Sequence, residues 1–351
     1  MTRILVVRYR FIGDTILTIP FLRNLRRAYP DAQIDMLVGP VSGDVLIECP
    51  YIDNLITFDT TRKHKYESTP KAKQNFFSYV KLLKEQKYDK AYVLKRSLSS
   101  AVLVFLAGIK ERIGFNTEHR GILLTKRVQY IKNKHEIECF LDILRADNVP
   151  VTDNYLENWI PEDSRVKIDR ILEDFNIKEV PKILIHATSG NPKKEWQPEK
   201  FAEVIKYLIN QKGAQIFYTG TEKDDQMYEK IHASIEHKLI IEPVNLCGKL
   251  SIQDSMALIS RMNFVVGVDS GTLHIAAAMN TPVIGIYGPM NPEKWKAWGD
   301  IHTALYSNIP CVPCDLRSKK CPEDNACLKN ITPDMVIQKC NDQLDKMQNV
   351  V

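Results

Sequence analysis

The chain has 351 residues, of which 44% are hydrophobic and 26% charged, and its net charge is +5. These values are typical of a globular protein and exclude a disordered or low-complexity chain. The longest apolar run, residues 99–109, is about half as long as a membrane-spanning helix, and the first residues lack the pattern of a signal peptide. We therefore expect a cytoplasmic protein of two domains.

The positive charge is concentrated in one part of the chain. Residues 60–135 contain 18 Lys or Arg against 5 Asp or Glu. This stretch is either a well-solvated surface or a positive field that attracts anionic lipid headgroups or a phosphorylated, acidic substrate. Because no basic motif with interleaved aromatic residues is present, the sequence predicts no nucleic-acid partner.

The first half alternates the patterns of buried strands and amphipathic helices. Strands are predicted at 4–9, 33–39, 54–59 and 88–94, and helices at 17–29, 76–86, 98–108 and 135–149. Pro20 fits the first of these helices only within its first turn. The polar residues and prolines that follow, up to Pro181, predict a linker.

The second half repeats the alternation. Strands are predicted at 182–188, 214–221, 238–242, 264–271 and 282–289, and helices at 200–213, 224–235, 251–262, 272–279 and 331–347. Two such series predict an α/β protein of two Rossmann-like doubly wound domains, residues 1–165 and 166–351, which face a central cleft. The final helix, 333–348, is a candidate to pack back on the first domain.

Ligands bind such sheets beyond the carboxyl ends of the strands. The loops expected there are 10–14, 95–97, 188–196, 219–222 and 267–274. In the first of them, RYRFIGD, Asp14 is either the cap of the following helix or the working carboxylate of an active site.

The segment VVGVDSGTLHIAAAM is the most informative loop. A strand is expected to end at Asp269 and a helix to begin near Thr272, with Gly271 permitting close approach of backbone. The free amides and dipole of the helix start suit a phosphate, and Ser270 and Thr272 can add hydroxyl donors. Alternatively, Asp269 is only a helix cap and His274 a core histidine.

Two further loops carry polar groups at strand ends. In HATSGNPKKEWQP, small donors precede Lys193 and Lys194, either of which could neutralise a departing phosphate, although a solvated surface loop has the same composition. In TGTEKDD, Glu222 could accept hydrogen bonds from ribose hydroxyls or simply cap a helix.

Several familiar motifs are missing. The sequence has no GxGxxG after the first strand, no GxxxxGK[ST] and no DxD acid pair. A bound diphosphate is therefore expected to be neutralised by lysine and helix amides.

Four of the eight cysteines, Cys311, Cys314, Cys321 and Cys327, have the spacing C-x2-C-x6-C-x5-C. Four thiolates could bind zinc or an iron–sulfur cluster, but the spacing is loose for a zinc ribbon. The other four cysteines lie among apolar neighbours and are expected to be buried.

Taken together, these stretches resemble the ADP-heptose:lipopolysaccharide heptosyltransferases of glycosyltransferase family 9. The matching segments, in the family's order and over nearly the whole chain, are FIGDTILTIPFLRNLRRAYPDAQIDMLVGP, RIGF, HEIECFLDIL, KKEWQPEKFAEV, NLCGKLSI, VVGVDSGTLHIAAAM with PVIGIYGP, and the cysteine tail before ITPDMV. The resemblance implies a GT-B fold and an inverting transfer that requires no metal or other cofactor. It also implies that the second domain binds the donor, ADP-heptose, and the first the acceptor.

By the same resemblance, Asp14 is the general base and Lys194 stabilises the departing ADP. The implied donor-binding set is Thr188, Ser189, Lys194, Gly220, Thr221, Glu222, Leu246, Gly248, Asp269, Ser270, Gly271, Thr272 and His274. The expected acceptor-side residues are Arg10, Gly13, Lys95, Arg96 and Arg120. An acidic lipopolysaccharide acceptor would match the basic first domain and bring the protein to the inner face of the inner membrane.

Two departures from the family pattern bear on the substrates. The chain reads WQP where the family usually has WP, and LKRS where relatives often carry a loop with glycine or glutamine. The alternatives are a GT-B enzyme with another sugar nucleotide or acceptor, a sugar-nucleotide epimerase, or a non-catalytic module that binds glycan or membrane. Family members carry similar cysteines in a surface loop, so a structural loop or a disulfide is favoured over a structural metal, and a catalytic role is not expected.

Overall fold

The structure, a computed structural model, describes residues 1–59, 75–175, 180–236, 238–314, 316, 321 and 323–348. Residues 60–74 of the basic stretch, residues 176–179 of the predicted linker and several positions between Cys314 and Glu323 lie outside the described residues. The chain divides into two compact units, Met1–Trp159 and Ile160–Val351.

The first unit contains a parallel six-stranded sheet. Its strands are β1 (Arg3–Val7), β2 (Gln33–Val38), β3 (Asn54–Thr57), β4 (Lys90–Val93), β5 (Glu111–Phe115) and β6 (Lys126–Val128), in the order β3-β2-β1-β4-β5-β6. Its helices are α1 (Ile12–Ile16), α2 (Ile19–Ala28), α3 (Phe76–Gln86), α4 (Leu98–Leu106) and α5 (Glu136–Ala146). Helices α2 and α5 pack together, and α3 and α4 pack together.

The second unit repeats this plan. Its strands are β7 (Lys182–His186), β8 (Gln215–Tyr218), β9 (Val244–Asn245), β10 (Phe264–Val268), β11 (Val283–Tyr287) and β12 (Thr303–Tyr306), in the order β12-β11-β10-β7-β8-β9. Its helices are α6 (Glu162–Asp174), α7 (Pro198–Lys212), α8 (Asp225–Ala233), α9 (Ile252–Ser260), α10 (Gly271–Ala278), α11 (Pro292–Trp295), α12 (Ala326–Lys329) and α13 (Pro333–Gln348). The predicted α/β fold with two Rossmann-like sheets is confirmed.

Each sheet has one point at which the strand order reverses. In the first unit β1 lies beside β4, with Val7 opposite Val93, and in the second β7 lies beside β10, with His186 opposite Gly267. Loops that leave neighbouring strands in opposite directions open a crevice at such a point. The crevices therefore lie beside the loops after β1 and β4 in one unit, and after β7 and β10 in the other.

The unit boundary is set by helix α6. The predicted linker contains this helix, and the predicted division after residue 165 falls inside it. Pro161 immediately precedes the helix, Ile168 is buried, and α6 packs on α9 of the second unit. The final helix, α13, packs on α7 and contacts β11 and β12 within the same unit.

One predicted strand is wrong. No strand covers 238–242, since pairing with β8 instead uses Val244 and Asn245, opposite Phe217 and Tyr218. The strands β5, β6 and β12 were not predicted, because segments of three to five residues show little alternation of apolar and polar residues. Pro20 lies in the first turn of α2, which α1 precedes as a separate short helix.

The described part of the chain has no helix with the length and apolar character needed to cross a membrane.

Candidate functional site

A buried carboxylate lies at the crevice of the first unit. Asp14 is in the first turn of α1 and forms an ion pair with Arg8, and the exposed fractions of the two side chains are 10% and 7%. Burial raises the pKa of Asp14; the Arg8 guanidinium opposes this shift, and the Glu136 carboxylate adds to it. A buried carboxylate with a raised pKa is a stronger base than an ordinary aspartate.

The predicted capping role of Asp14 is wrong. The residue that precedes α1 is Phe11, and no side chain caps this helix. Gly13, expected on the acceptor side, lies buried within the helix, and the turn before the helix is made by Arg10 and Phe11, whose φ angles are 93° and 62°. Two consecutive residues other than glycine at positive φ are strained, which is typical of segments that position functional groups.

Two cations from the loop after β4 lie near Asp14. Burial and the neighbouring charges of Arg8, Arg10 and Arg96 lower the pKa of Lys95 to about 8, although Asp14 partly offsets them. The Arg96 guanidinium carbon lies 4.0 Å from the centroid of the Tyr130 ring. The predicted residues Asp14, Lys95 and Arg96 therefore share one crevice with Arg10 at its exposed edge.

Arg120 supports this loop from beneath. It is fully buried, and its guanidinium donates to the carbonyl oxygens of Lys95 and Phe115. Burial lowers the pKa of Arg120 to about 10. Its Nη2 is buried and makes no hydrogen bond within the described residues, so one nitrogen of this predicted acceptor residue is not used by the fold.

Sequence reasoning did not identify Arg8 and Glu136. Glu136 begins α5, is buried, and accepts a hydrogen bond of 2.6 Å from the Tyr130 hydroxyl. The available signal for Arg8 was a charged residue at the end of the apolar run ILVV, and the signal for Glu136 was its position at the start of a predicted helix, beside His135.

The crevice of the second unit contains a lysine–aspartate pair. Lys194 Nζ lies 2.8 Å from Asp269 Oδ2, which joins the loop after β7 to the end of β10. Burial raises the pKa of Asp269, and Lys194 works against that shift. The loop is held by Trp196, whose indole N–H donates to the carbonyl oxygens of Leu328 and Ile331 at 3.2 and 3.1 Å. Lys194 is thus a fixed cation at the predicted diphosphate site.

Polar groups of two loops converge beside this pair. Ser189 and Thr188 are buried at the end of β7, and Ser189 Oγ donates to the Asp269 carbonyl at 3.3 Å. Helix α10 begins at Gly271, immediately after Ser270. The buried Ser270 Oγ makes no hydrogen bond within the described residues. It is available, together with the amides of the first turn, to bind an anion.

His186 restricts what Thr272 can do. His186 Nδ1 lies 3.3 Å from the Thr219 carbonyl, which can only accept, so Nδ1 carries the proton. Burial lowers the pKa of His186, and the neutral ring accepts from the Thr272 hydroxyl through Nε2 at 3.1 Å. The Thr272 hydroxyl, which was predicted to contact a phosphate, is therefore engaged by His186, while its backbone N–H lies in the first turn of α10. His274, predicted to support the site, is buried within α10.

The remaining predicted donor residues form one corner of the unit. The N–H of Gly248 donates to the Gly220 carbonyl at 2.9 Å, which joins the loops after β8 and β9. Thr221 caps the short turn Glu222–Asp224, so the alternative role of Glu222 as a cap is wrong. The Glu222 side chain is exposed. Leu246 is buried beside this corner.

The four clustered cysteines line one small cavity. It is formed by Cys311, Cys314, Cys321 and Cys327 together with Lys193, Pro289, Val312 and Asn325. All eight cysteines are free thiols. Within the described residues no three His, Cys, Asp or Glu side chains are arranged to hold a metal ion.

The chain has two Rossmann-like sheets, with a buried carboxylate at the crevice of one and a lysine and a helix N-terminus at the crevice of the other. This arrangement defines the class of nucleotide-sugar glycosyltransferases with the GT-B fold. Residues 76–326 match the model of glycosyltransferase family 9 (heptosyltransferase). The chain belongs to this family.

Similar proteins agree with this placement. Over 353 residues the chain is 28% identical to lipooligosaccharide heptosyltransferase 2 of Haemophilus influenzae (98% of this chain and 99% of that protein). It is 31% identical over 297 residues to lipopolysaccharide heptosyltransferase 3 of Escherichia coli K12 (82% and 83%). The fold matches a family 9 glycosyltransferase structure from Veillonella parvula, with a TM-score of 0.81, 22% identity and 98% coverage of both chains. It also matches ADP-heptose heptosyltransferase II of E. coli, with a TM-score of 0.77, 23% identity and coverage of 99% and 100%.

Proposed function

We propose that the protein transfers a heptose from ADP-heptose to an inner-core lipopolysaccharide acceptor, with inversion at the anomeric carbon and without a required metal. The buried Asp14 carboxylate at the crevice of the first unit is the observation that carries this proposal, because it supplies a base on the acceptor side. The names and the full-length coverage of the similar heptosyltransferases support the choice of donor and acceptor.

On the donor side, Lys194 and the start of α10 hold the diphosphate. The Lys194 cation and the amides of Gly271 and Thr272 stabilise the negative charge that grows on ADP as the glycosidic bond breaks. Thr188, Ser189 and Ser270 add hydrogen bonds to the same phosphates. Because the protein itself supplies cationic and amide groups, no divalent metal is required to neutralise the diphosphate.

The nucleoside extends towards the corner formed by the loops after β8 and β9. Glu222 accepts hydrogen bonds from the ribose, and the backbone near Leu246 to Lys249, which the Gly248 N–H joins to the Gly220 carbonyl, flanks the adenine. Leu246 supplies an apolar surface behind the ring.

Transfer then occurs in one displacement. The acceptor hydroxyl attacks the anomeric carbon on the side opposite ADP, the new carbon–oxygen bond forms, and the bond to the diphosphate oxygen breaks. Asp14 accepts the hydroxyl proton during the attack. Arg10, Lys95 and Arg96 bind the anionic groups of the acceptor and hold its hydroxyl beside the carboxylate. We place this reaction in the cytoplasm at the inner face of the inner membrane, in which the acceptor's lipid end is embedded.

A panel of donors and acceptors tests the proposal. Release of the nucleoside diphosphate is measured, as ADP for ADP-heptose and ADP-glucose and as UDP for UDP-glucose, each with heptose-deficient lipopolysaccharide and without an acceptor. We expect acceptor-dependent ADP release from ADP-heptose alone, and its loss in Asp14→Ala. Acceptor-dependent release from another nucleotide sugar would indicate transfer of another sugar. If none of the donors releases its nucleotide, the protein has a non-catalytic role.

A further inference from the structure

Helix α4 presents an apolar face to solvent. Its sequence, LSSAVLVFL, contains no charged residue. Ala101, Leu103 and Val104 are buried against the sheet. On the opposite side, Leu98, Phe105 and Leu106 are exposed and Val102 is half-buried. Their spacing of i, i+4, i+7 and i+8 places these side chains on one face. A helix that is apolar all round is ordinarily buried on every side, and none of the described residues covers this face.

The apolar surface continues beyond the helix. The 3₁₀ turn Arg120–Leu123 packs along α4 and carries Ile122, which is 80% exposed. Arg112 donates to the Leu123 carbonyl at 2.7 Å, and its guanidinium lies 5.4 Å from the Phe105 ring. The arginine therefore borders both the helix and the turn. We call Leu98, Val102, Phe105, Leu106 and Ile122 the α4 patch.

Helix α3 extends this surface with basic residues. Tyr79 and Leu83 of α3 belong to the same core as the buried face of α4, so both helices cover one face of the sheet and turn their outer faces the same way. The outer face of α3 carries Phe77, Lys81 and Lys84, at positions i, i+4 and i+7 and all exposed. Helix α4 thus contributes outward-facing aromatic and aliphatic side chains, and α3 contributes Phe77 and the two lysines.

The charge of the region indicates an anionic partner. Of the 11 Lys or Arg in residues 75–128, Lys95, Arg96 and Arg120 belong to the crevice and Lys90 and Lys126 pair with Asp147. The other six, against 4 Asp or Glu in the same range, include Lys81, Lys84 and Arg112. Apolar side chains surrounded by lysines are typical of surfaces that enter the headgroup layer of an anionic bilayer. Lysine is depleted in protein–protein interfaces, which disfavours a second copy of the chain or another protein as the occupant.

We propose that the α4 patch docks on an anionic phospholipid bilayer, with its apolar side chains in the headgroup layer and Lys81, Lys84 and Arg112 facing lipid phosphates. The choice of a bilayer rests on the proposed lipopolysaccharide acceptor, whose lipid end lies in a membrane. Docking through the acceptor-binding unit would bring its crevice close to membrane-embedded substrate.

A vesicle experiment without donor or acceptor tests the docking separately from catalysis. The full chain is sedimented with vesicles of phosphatidylglycerol and phosphatidylethanolamine, and with vesicles of phosphatidylcholine alone. We expect binding to the anionic vesicles, weakened by salt, and at least ~10-fold weaker binding of Phe105→Ser/Ile122→Ser. The matched control, Phe175→Ser/Ile240→Ser, changes the same residue types at exposed positions of the second unit and should bind like the unaltered chain.

Two further readouts separate the possible outcomes. With a delipidated, water-soluble acceptor the patch variant should turn over at the unaltered rate, which shows that it is folded. Failure of the unaltered chain to bind anionic vesicles, or equal binding to both kinds of vesicle, would overturn the proposal. A change from oligomer to monomer in the patch variant, measured by light scattering, would instead make the α4 patch an interface between subunits.

Discussion

Replacing Asp14 by asparagine removes the proposed base while keeping the size of the side chain. The amide oxygen can still accept from Arg8, so the substitution limits the cost of leaving a buried guanidinium without its carboxylate. Breaking a buried ion pair outright costs about 3–5 kcal/mol. In this case burial already disfavours the ionised Asp14, because its pKa in the folded protein is raised. We therefore expect Asp14→Asn to destabilise the protein by less than that range.

The catalytic loss should be much larger than the structural one. Loss of a general base lowers kcat by about 10²–10⁴-fold, which corresponds to about 3–5 kcal/mol of transition-state stabilisation. Binding of ADP, which uses the second unit, should not change. Turnover is measured by ADP release, ADP affinity by calorimetry and stability by thermal unfolding, with Asp142→Asn on α5 as a control in the same unit.

The pH profile gives an independent check. Asp14 must be ionised to accept a proton, so activity should rise with pH through its pKa. Because that pKa is raised, the rise should occur at higher pH than for an ordinary aspartate. This acid limb should disappear from the residual activity of Asp14→Asn. Full turnover of the variant, or an unchanged acid limb, would refute the role of Asp14 as the base.

Three further predictions concern binding. Lys194→Ala should weaken ADP affinity and lower kcat/KM by ~10–100-fold, because a charge-assisted contact to the diphosphate is lost. Gly248→Ala should raise the KM for the donor several-fold, since φ is +71° there and an added Cβ would lie 3.2 Å from Glu222 Cα. The control Gly213→Ala should leave this KM unchanged, because φ is similar (+63°) but no atom lies within 4 Å of the added Cβ. Lys95 has a pKa of about 8, so the KM for an acidic acceptor should rise as the pH passes that value, and Lys95→Arg should move this limb to higher pH.

Each of these predictions has an outcome that contradicts it. Lys193→Ala serves as the control for Lys194, because Lys193 Nζ donates to the Leu316 carbonyl; equal losses in both variants would exclude a specific role for Lys194. Equal KM values for the two glycine variants would remove Glu222 from the ribose site. A basic limb that persists unchanged in Lys95→Arg would assign it to another group.

The sequence predicted the fold because both halves show repeated apolar runs at strand and helix spacing. It failed where tertiary contacts decide local structure. Strand β9 uses Val244 and Asn245 because of its pairing with β8. Helix α6, whose Ile168 is buried, forms in the predicted linker and packs on α9.

For the site, the motif positions Asp14 and Lys194 were identified from the loops that carry them, and their proposed roles await the measurements above. The contacts around these positions depend on how the chain folds at the strand ends. The pairing of Arg8 with Asp14, and the use of the Thr272 hydroxyl by His186, join residues that are separated by six and 86 positions. Nothing in the spacing of these residues indicates that a histidine from β7 occupies the hydroxyl of a residue in α10.

The most direct test of the central proposal is the chemical identity of the product. The protein is incubated with ADP-heptose and heptose-deficient lipopolysaccharide, and the product is analysed by mass spectrometry and by NMR of its new anomeric centre. We expect one added heptose for each ADP released, with the anomeric configuration opposite to that of the donor. An unmodified acceptor, or a product with the donor's configuration, would contradict the proposed inverting transfer.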